Sequence, residues 1–318
     1  MHRAFFLTLS MLSLDKKDLG KRAEPIAQIF SDYPDLNGRL IYLDRHGEGK
    51  HMEAPLDPME LVSFIGEDAI RSGRAGRKVK KSELQEMTEE KLPERARLAL
   101  QRQLGRRDIS IPNGFIMPLP IMRPGFREVF FIVGQSGAGK SSWCVRYIVL
   151  WLEMNPKRPV YRFSRVEDDR AFQRIDGMYK NVVIDERMVT EPILPEMLQG
   201  ALVVFDDVDT IRDDKIREAV NKLRNDLMET GRHTDTYVLN TSHRFRDWNT
   251  TKTSTNEATA VTLFPKSGTG GAIRDFLRIK CGFDAEKIKK IMNVPSPWVT
   301  VYMTYPSYVV HEHGIFMD

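Results

Sequence analysis

Apolar positions along this chain fall into two rhythms. Short unbroken runs rich in β-branched and aromatic residues, Arg127-Glu-Val-Phe-Phe-Ile-Val133, Pro159–Phe163, Val182–Ile184, Leu202–Phe205 and Tyr237–Leu239, have the character of strands covered on both faces. Between them lie segments of helical period. From Lys140 to about Met154, the residues Trp143, Tyr147, Leu150 and Met154 recur on one face. From beyond Ile211 to about Thr230, Ile216, Val220, Leu223 and Leu227 do the same, with Arg217, Lys222 and Arg224 interspersed and Gly231 as the stop. Strands alternating with helices predict an α/β fold over residues 121–318, a mostly parallel sheet flanked by helices.

The first 120 residues have a different texture. Short apolar runs such as Arg39-Leu-Ile-Tyr-Leu43 are punctuated by Asn37-Gly38 and Gly47-Glu-Gly49, which suggests a small α+β accessory region. A basic linker spans about 71–107. Within it Arg71, Arg74, Arg77, Lys78, Lys80 and Lys81 come without an acid, and the Glu-, Lys- and Leu-rich segment Ser82–Arg107 reads as a solvated helix. Pro112, Pro118, Pro120 and Pro124 then mark a boundary near residue 120.

Composition excludes several classes. Of 318 residues, 41% are hydrophobic and 29% charged, which fits a globular, soluble, intracellular protein with no membrane partner. The net charge of +4 permits nucleic acid without arguing for it. Cys144 and Cys281, the two cysteines, exclude a disulfide scaffold and a cysteine-rich zinc site. The apolar run Ala4–Leu12 lacks the flanks of a cleaved signal. His311 and His313 read as alternate positions of an exposed strand or tail.

Gly134-Gln135-Ser136-Gly137-Ala138-Gly139-Lys140-Ser141 matches G-x-x-x-x-G-K-[ST] between a predicted strand and a predicted helix. Glycines let the backbone curl so that successive N–H groups face inward, and the helix dipole adds its positive end. Such a nest takes a nucleotide triphosphate, ATP, as cofactor. Lys140 is then the contact to the β- and γ-phosphates, Ser141 a ligand of Mg²⁺, and Ser142 a flanking contact. Asp206 and Asp207 close the run Ala201-Leu-Val-Val-Phe205 at a strand's C-terminal end, where ligands of open α/β sheets collect. Asp206 is assigned to the metal and Asp207 to activation of the attacking water. Asp209 reads as a helix N-cap. The strand from Thr236 delivers Asn240 and Thr241 to the same edge, either of which can sense the γ-phosphate. Lys266-Ser-Gly-Thr-Gly-Gly271, ahead of a helical run at Ala272–Lys280, is either a nucleic-acid-contacting loop or a hinge.

Taken together, Gly134–Ser141, Leu202-Val-Val-Phe-Asp-Asp-Val-Asp209, Thr230-Gly-Arg-His233 and Val238-Leu-Asn-Thr-Ser-His243 resemble the FtsK/HerA superfamily, and most of all the DNA-packaging ATPases of large double-stranded DNA viruses, poxvirus-type. The resemblance covers about 127–250. It implies a P-loop NTPase of the ASCE, RecA-like kind and Mg²⁺-dependent ATP hydrolysis that drives double-stranded DNA translocation in viral genome packaging. It also implies a homo-oligomeric ring, a capsid or portal protein as a further partner, and a place in the virion or at the viral assembly site. In such a ring Arg232 or Arg224 is the arginine offered to a neighbouring subunit, with Arg244 and Arg246 as further candidates. Two other readings stay open. One is a P-loop nucleotide or small-molecule kinase whose acceptor lies over 164–180, near Arg165, Arg170 and Arg174; the other is a non-motor ATP-dependent switch.

Overall fold

The computed structural model describes residues 11–14, 16, 19, 22–45, 108–111, 114–243, 245, 248–268 and 270–317. The basic linker 71–107, Arg244, Arg246, Gly47-Glu-Gly49 and most of the N-terminal apolar run lie outside the described residues. By compactness the chain divides into two units, Met1–Glu24 with Tyr42–Ile109, and Pro25–Ile41 with Ser110–Asp318. This division departs from the boundary expected near residue 120, because Pro25–Ile41 belongs with the second unit.

In the first unit, β1 (Met11–Ser13) pairs antiparallel with the Tyr42–Asp44 end of a later strand, and buried Arg45 is ion-paired with Glu24. β2 (Glu24–Phe30), in the second unit from Pro25 on, leads through a turn in which Gly38 takes a positive φ of 77° to β3 (Leu40–Asp44), whose first two residues belong to that unit. After β4 (Asp108–Ser110), β5 (Phe115–Pro118) pairs antiparallel with β2.

The chain then enters strand–helix alternation. In order come β6 (Val129–Val133), α1 (Lys140–Met154), β7 (Val160–Ser164), β8 (Lys180–Val183), α2 (Arg187–Thr190), β9 (Leu202–Phe205), α3 (Asp214–Thr230) and β10 (Tyr237–Ser242). They are followed by α4 (Trp248–Glu257), β11 (Ala260–Leu263), α5 (Gly270–Ile279), α6 (Ala285–Asn293), β12 (Val299–Tyr302), β13 (Tyr308–His311) and β14 (Gly314–Met317). These strands lie in the order β14-β13-β12-β11-β6-β10-β9-β7-β8. All neighbours from β8 to β11 are parallel, whereas β12, β13 and β14 extend the sheet antiparallel. All five residues of β6 are buried, as an apolar run with helices on both faces requires.

Helix α1 lays Trp143, Tyr147 and Leu150 on the sheet as its period predicts, with Phe130 of β6 5.2 Å and 4.9 Å from the Trp143 and Tyr147 rings. Buried Glu128 accepts the Tyr147 hydroxyl at 2.6 Å and the Ile121 N–H at 2.9 Å, tying the segment before β6 to that layer. Packed on Val203, Phe205 and Val238, the α3 residues Val220, Leu223, Leu227 and Met228 fill a core cluster. Its N-cap is Asp213, whose carboxylate accepts the Ile216 N–H at 3.0 Å. Asp209 therefore does not cap this helix, contrary to the sequence reading.

Candidate nucleotide-binding and hydrolysis site

The parallel register brings the C-terminal ends of three strands to one edge, with Val133 opposite Ser242 and Phe205 opposite Asn240. Residues 134–139 leave β6 at this edge and wrap into α1. Gly137 and Gly139 have φ of 77° and 105°, values in which a side chain is strained. Gly134 is fixed by space instead, since a Cβ there would fall 2.9 Å from the Phe264 ring. The second glycine-rich turn backs this loop, because a Cβ on Gly268 would fall 2.9 Å from the Gln135 side chain.

Lys140 is buried, and its ammonium donates to the Gly134 carbonyl at 3.0 Å and the Gln135 carbonyl at 3.4 Å. It also donates to His243 Nδ1 at 3.0 Å and lies 3.6 Å from Asp207 Oδ1. Because that ring nitrogen accepts, Nε2 carries the proton that reaches Asp207 Oδ2 at 2.7 Å. Asp207 holds a left-handed backbone, φ 52° and ψ 37°, which an aspartate tolerates better than most residues. Thr241 joins the two carboxylates. Its Oγ1 accepts the Asp207 N–H at 2.8 Å and stands 3.2 Å from Asp206 Oδ1 and 3.1 Å from Asp207 Oδ1.

Asp206 is buried, and its Oδ2 takes two bonds from Arg162 of β7, from Nε at 3.0 Å and Nη2 at 2.7 Å. Burial pushes the Asp206 carboxyl up from its ordinary value, and Asp207 and Asp169 push the same way, while the Arg162 guanidinium pulls it down. The Ser141 hydroxyl donates to Asp169 Oδ2 at 3.1 Å. The oxygens of Ser141, Asp206 and Asp169 suit Mg²⁺, a hard cation that takes one or two carboxylates and leaves the remaining positions to water and phosphate.

Of the residues expected to act together, the structure brings together Lys140, Ser141, Asp206, Asp207 and Thr241. Asn240 is turned to the other face of β10, where its amide nitrogen donates to Ser254 Oγ at 3.0 Å. Arg224 is buried in its own chain at 5% exposure, so it is not the surface arginine expected to reach a neighbouring subunit. Arg232 is exposed in the α3–β10 turn, at the opposite end of β10 from the loop. Arg165, Arg170 and Arg174 are also exposed. Arg162, Asp169 and His243 have no assigned role in the sequence reading. For Arg162 the signal was present, a single charge at an inward position of the apolar run Val160–Ser164.

A glycine-rich loop between the first core strand and its helix, with a carboxylate pair at the end of the parallel strand one place beyond β10, defines a P-loop NTPase fold. The chain belongs to one family with protein V3 of the Sputnik virophage, an uncharacterized protein, to which it is 35% identical over 212 residues that span 66% of this chain and 84% of the relative. No protein-family model matches it. Among solved structures, it is similar to the genome packaging NTPase B204 of Sulfolobus turreted icosahedral virus 2 in complex with sulfate (13% identity, 62% of this chain and 97% of that one, TM-score 0.38). It is likewise similar to the pCW3 conjugation coupling protein TcpA (13% identity, 65% and 66%, TM-score 0.39). Among the described residues no helix is long and apolar enough to cross a membrane.

Proposed function

We propose that this protein is a Mg²⁺-dependent ATPase that moves double-stranded DNA during viral genome packaging, as a homo-oligomeric ring working with a capsid or portal protein. The observation that carries the catalytic part is the convergence of Lys140, Asp207 and Thr241, with the loop lysine 3.6 Å from the second carboxylate and one hydroxyl between the carboxylate pair. The motor part rests on the motif resemblance, and the virophage source of the relative supports the viral setting.

In this reading the N–H groups of 134–139 cradle the β- and γ-phosphates, and Lys140 turns from the loop carbonyls toward them. Ser141 and Asp206 hold Mg²⁺, which neutralises phosphate charge when it binds with the nucleotide. Arg162 fixes the Asp206 carboxylate from behind. Asp207 takes the proton of the attacking water, and His243 holds its other oxygen in place. Thr241 is the residue placed to register the γ-phosphate, and Arg232 is the exposed arginine offered to a neighbour.

Steady-state ATP hydrolysis with and without duplex DNA at two salt concentrations tests the proposal. Stimulation by DNA that weakens as salt rises is the expected result, since backbone contacts displace counterions. Lys140→Ala should abolish nucleotide binding, and Asp207→Asn should keep it while lowering kcat by about 10²–10⁴-fold. Mixing Arg232→Ala with Lys140→Ala subunits should restore activity if sites are shared. Phosphoryl transfer to a small acceptor, or slow turnover indifferent to DNA, would overturn the motor reading in favour of a kinase or a switch.

A further inference from the structure

Beside β10 a cavity of about 590 Å³ is lined by Asp209, Arg217, Arg224, Asn240, Ser242 and Ser254, and its wall reaches Thr241 as well. Three polar groups in its wall are incompletely matched. Asn240 is 2% exposed, and its Oδ1 takes no hydrogen bond from the described residues. Exchanging the two ends of that amide would only leave its nitrogen unmatched instead. Asp209 accepts the Ser242 hydroxyl at 2.8 Å and the His243 N–H at 3.1 Å through Oδ2, while its buried Oδ1 takes no bond from the described residues. Arg224, 5% exposed, donates only to Asn225 Oδ1, at 3.3 Å and 3.1 Å, and no carboxylate among the described residues pairs with it.

Burial lowers the Arg224 guanidinium to about 10, so it is a cation at neutral pH, and Asp209 opposes that shift. A buried cation without a counter-ion is costly, and so is each unmatched acceptor. A ligand that answers all three is an oxyanion carrying its own O–H groups: its bare oxygens meet Arg224, and its hydroxyls meet Asp209 and Asn240. Dihydrogen phosphate has this pattern, one hydroxyl for each acceptor, whereas sulfate, fully ionised near neutral pH, has acceptors only.

The cavity also stands next to where phosphate would be made. Asp209 is bonded to Ser242 and to the His243 backbone, and His243 in turn bonds both Lys140 and Asp207. One strand therefore serves both places, with Thr241 touching the carboxylates and the cavity wall, and Asn240 the cavity. We infer that this cavity is a second, phosphate-selective anion site that receives inorganic phosphate released by nucleotide hydrolysis and holds it as dihydrogen phosphate. The inference rests on the ATPase reading above. Arg217, half-buried and ion-paired with Asp214, and exposed Arg212 complete the cationic part of the lining.

The test is calorimetric titration of inorganic phosphate into the full chain saturated with Mg²⁺ and a non-hydrolysable ATP analogue, which fills the loop. Saturable binding of one phosphate per chain is expected, with sulfate at equal ionic strength at least about tenfold weaker, since two buried acceptors would stay unmatched. Arg224→Gln should weaken phosphate at least about tenfold by removing a charge-assisted contact. Asn221→Asp adds an anion at a half-buried wall position, and should weaken it likewise. Equal affinity for sulfate, unchanged binding in both variants, or no phosphate binding would overturn the inference. A fluorescent nucleotide keeps the two readings apart. Loss of nucleotide binding in the parent chain would defeat the ATPase reading, while intact nucleotide binding without phosphate binding would defeat the second site alone.

Discussion

Replacing Arg162 by methionine removes one half of an ion pair that is almost wholly out of water, with Arg162 1% and Asp206 7% exposed. The guanidinium also donates to Ser164 Oγ at 3.2 Å and the Val166 carbonyl at 3.0 Å, and lies 4.3 Å from the Phe172 ring centre. Methionine keeps part of the ring packing but strands the Asp206 carboxylate. Breaking a buried pair from one side costs about 3–5 kcal/mol. For a unit of roughly 200 residues that corresponds to a Tm lower by about 6–20 °C. Thermal unfolding followed by circular dichroism reads it directly.

The loss should depend on pH with a definite sign. The Asp206 pKa is raised in the folded chain, so ionising it opposes folding. The stability it contributes as the acid is full below the ordinary 3.8 and is lost as pH rises through the folded value. Removing Arg162 removes the attraction that holds this value down. The Tm gap between variant and parent should therefore narrow as pH falls from about 8 to about 5. Adding Asp206→Asn to Arg162→Met should recover part of the loss, because no buried charge is then left alone. A gap under about 3 °C at neutral pH would refute the reasoning, as would one that is flat with pH or a double variant no better than the single.

Two further outcomes follow from the packing. Gly114→Ala should destabilise strongly, because Gly114 has φ 88° and an added Cβ would overlap the Phe30 carbonyl oxygen; chemical denaturation should show a loss of several kcal/mol, at or above the roughly 1–3 kcal/mol typical of a strained backbone position. Both thiols should be inert to a thiol reagent at about pH 8 in the native chain and titrate on unfolding, since burial pushes Cys281 up to about 12 and Cys144 well above its ordinary value.

What was legible in the sequence follows from which contacts are local. The loop, its strand and α1 announce themselves because glycine spacing and a helical stripe are properties of neighbouring residues. Asp206 and Asp207 were legible for the same reason, as charges ending an apolar run. β11 and β12 were not, since threonine interrupts their short apolar runs, Ala260-Val-Thr-Leu263 and Val299-Thr-Val-Tyr302. The pairing of Arg162 with Asp206 joins β7 to β9, and that of His243 with Lys140 joins β10 to the loop. Both depend on strand order, which no local pattern encodes. The same holds for Asn240 and Thr241: adjacent in sequence, they face opposite sides of the sheet, and only the register decides which one meets the carboxylates.

Thr241 carries a single hydroxyl proton, yet two carboxylate oxygens stand at nearly equal distance, 3.2 Å and 3.1 Å. The Asp207 N–H already approaches that oxygen, so the O–H can only rotate between the two neighbours. When both are ionised it divides its time between them. Once Asp207 gains a proton, the remaining anion is Asp206, and the rotor settles there. A hydroxyl in this position is a two-way pointer whose direction follows which of the two carboxylates carries the charge.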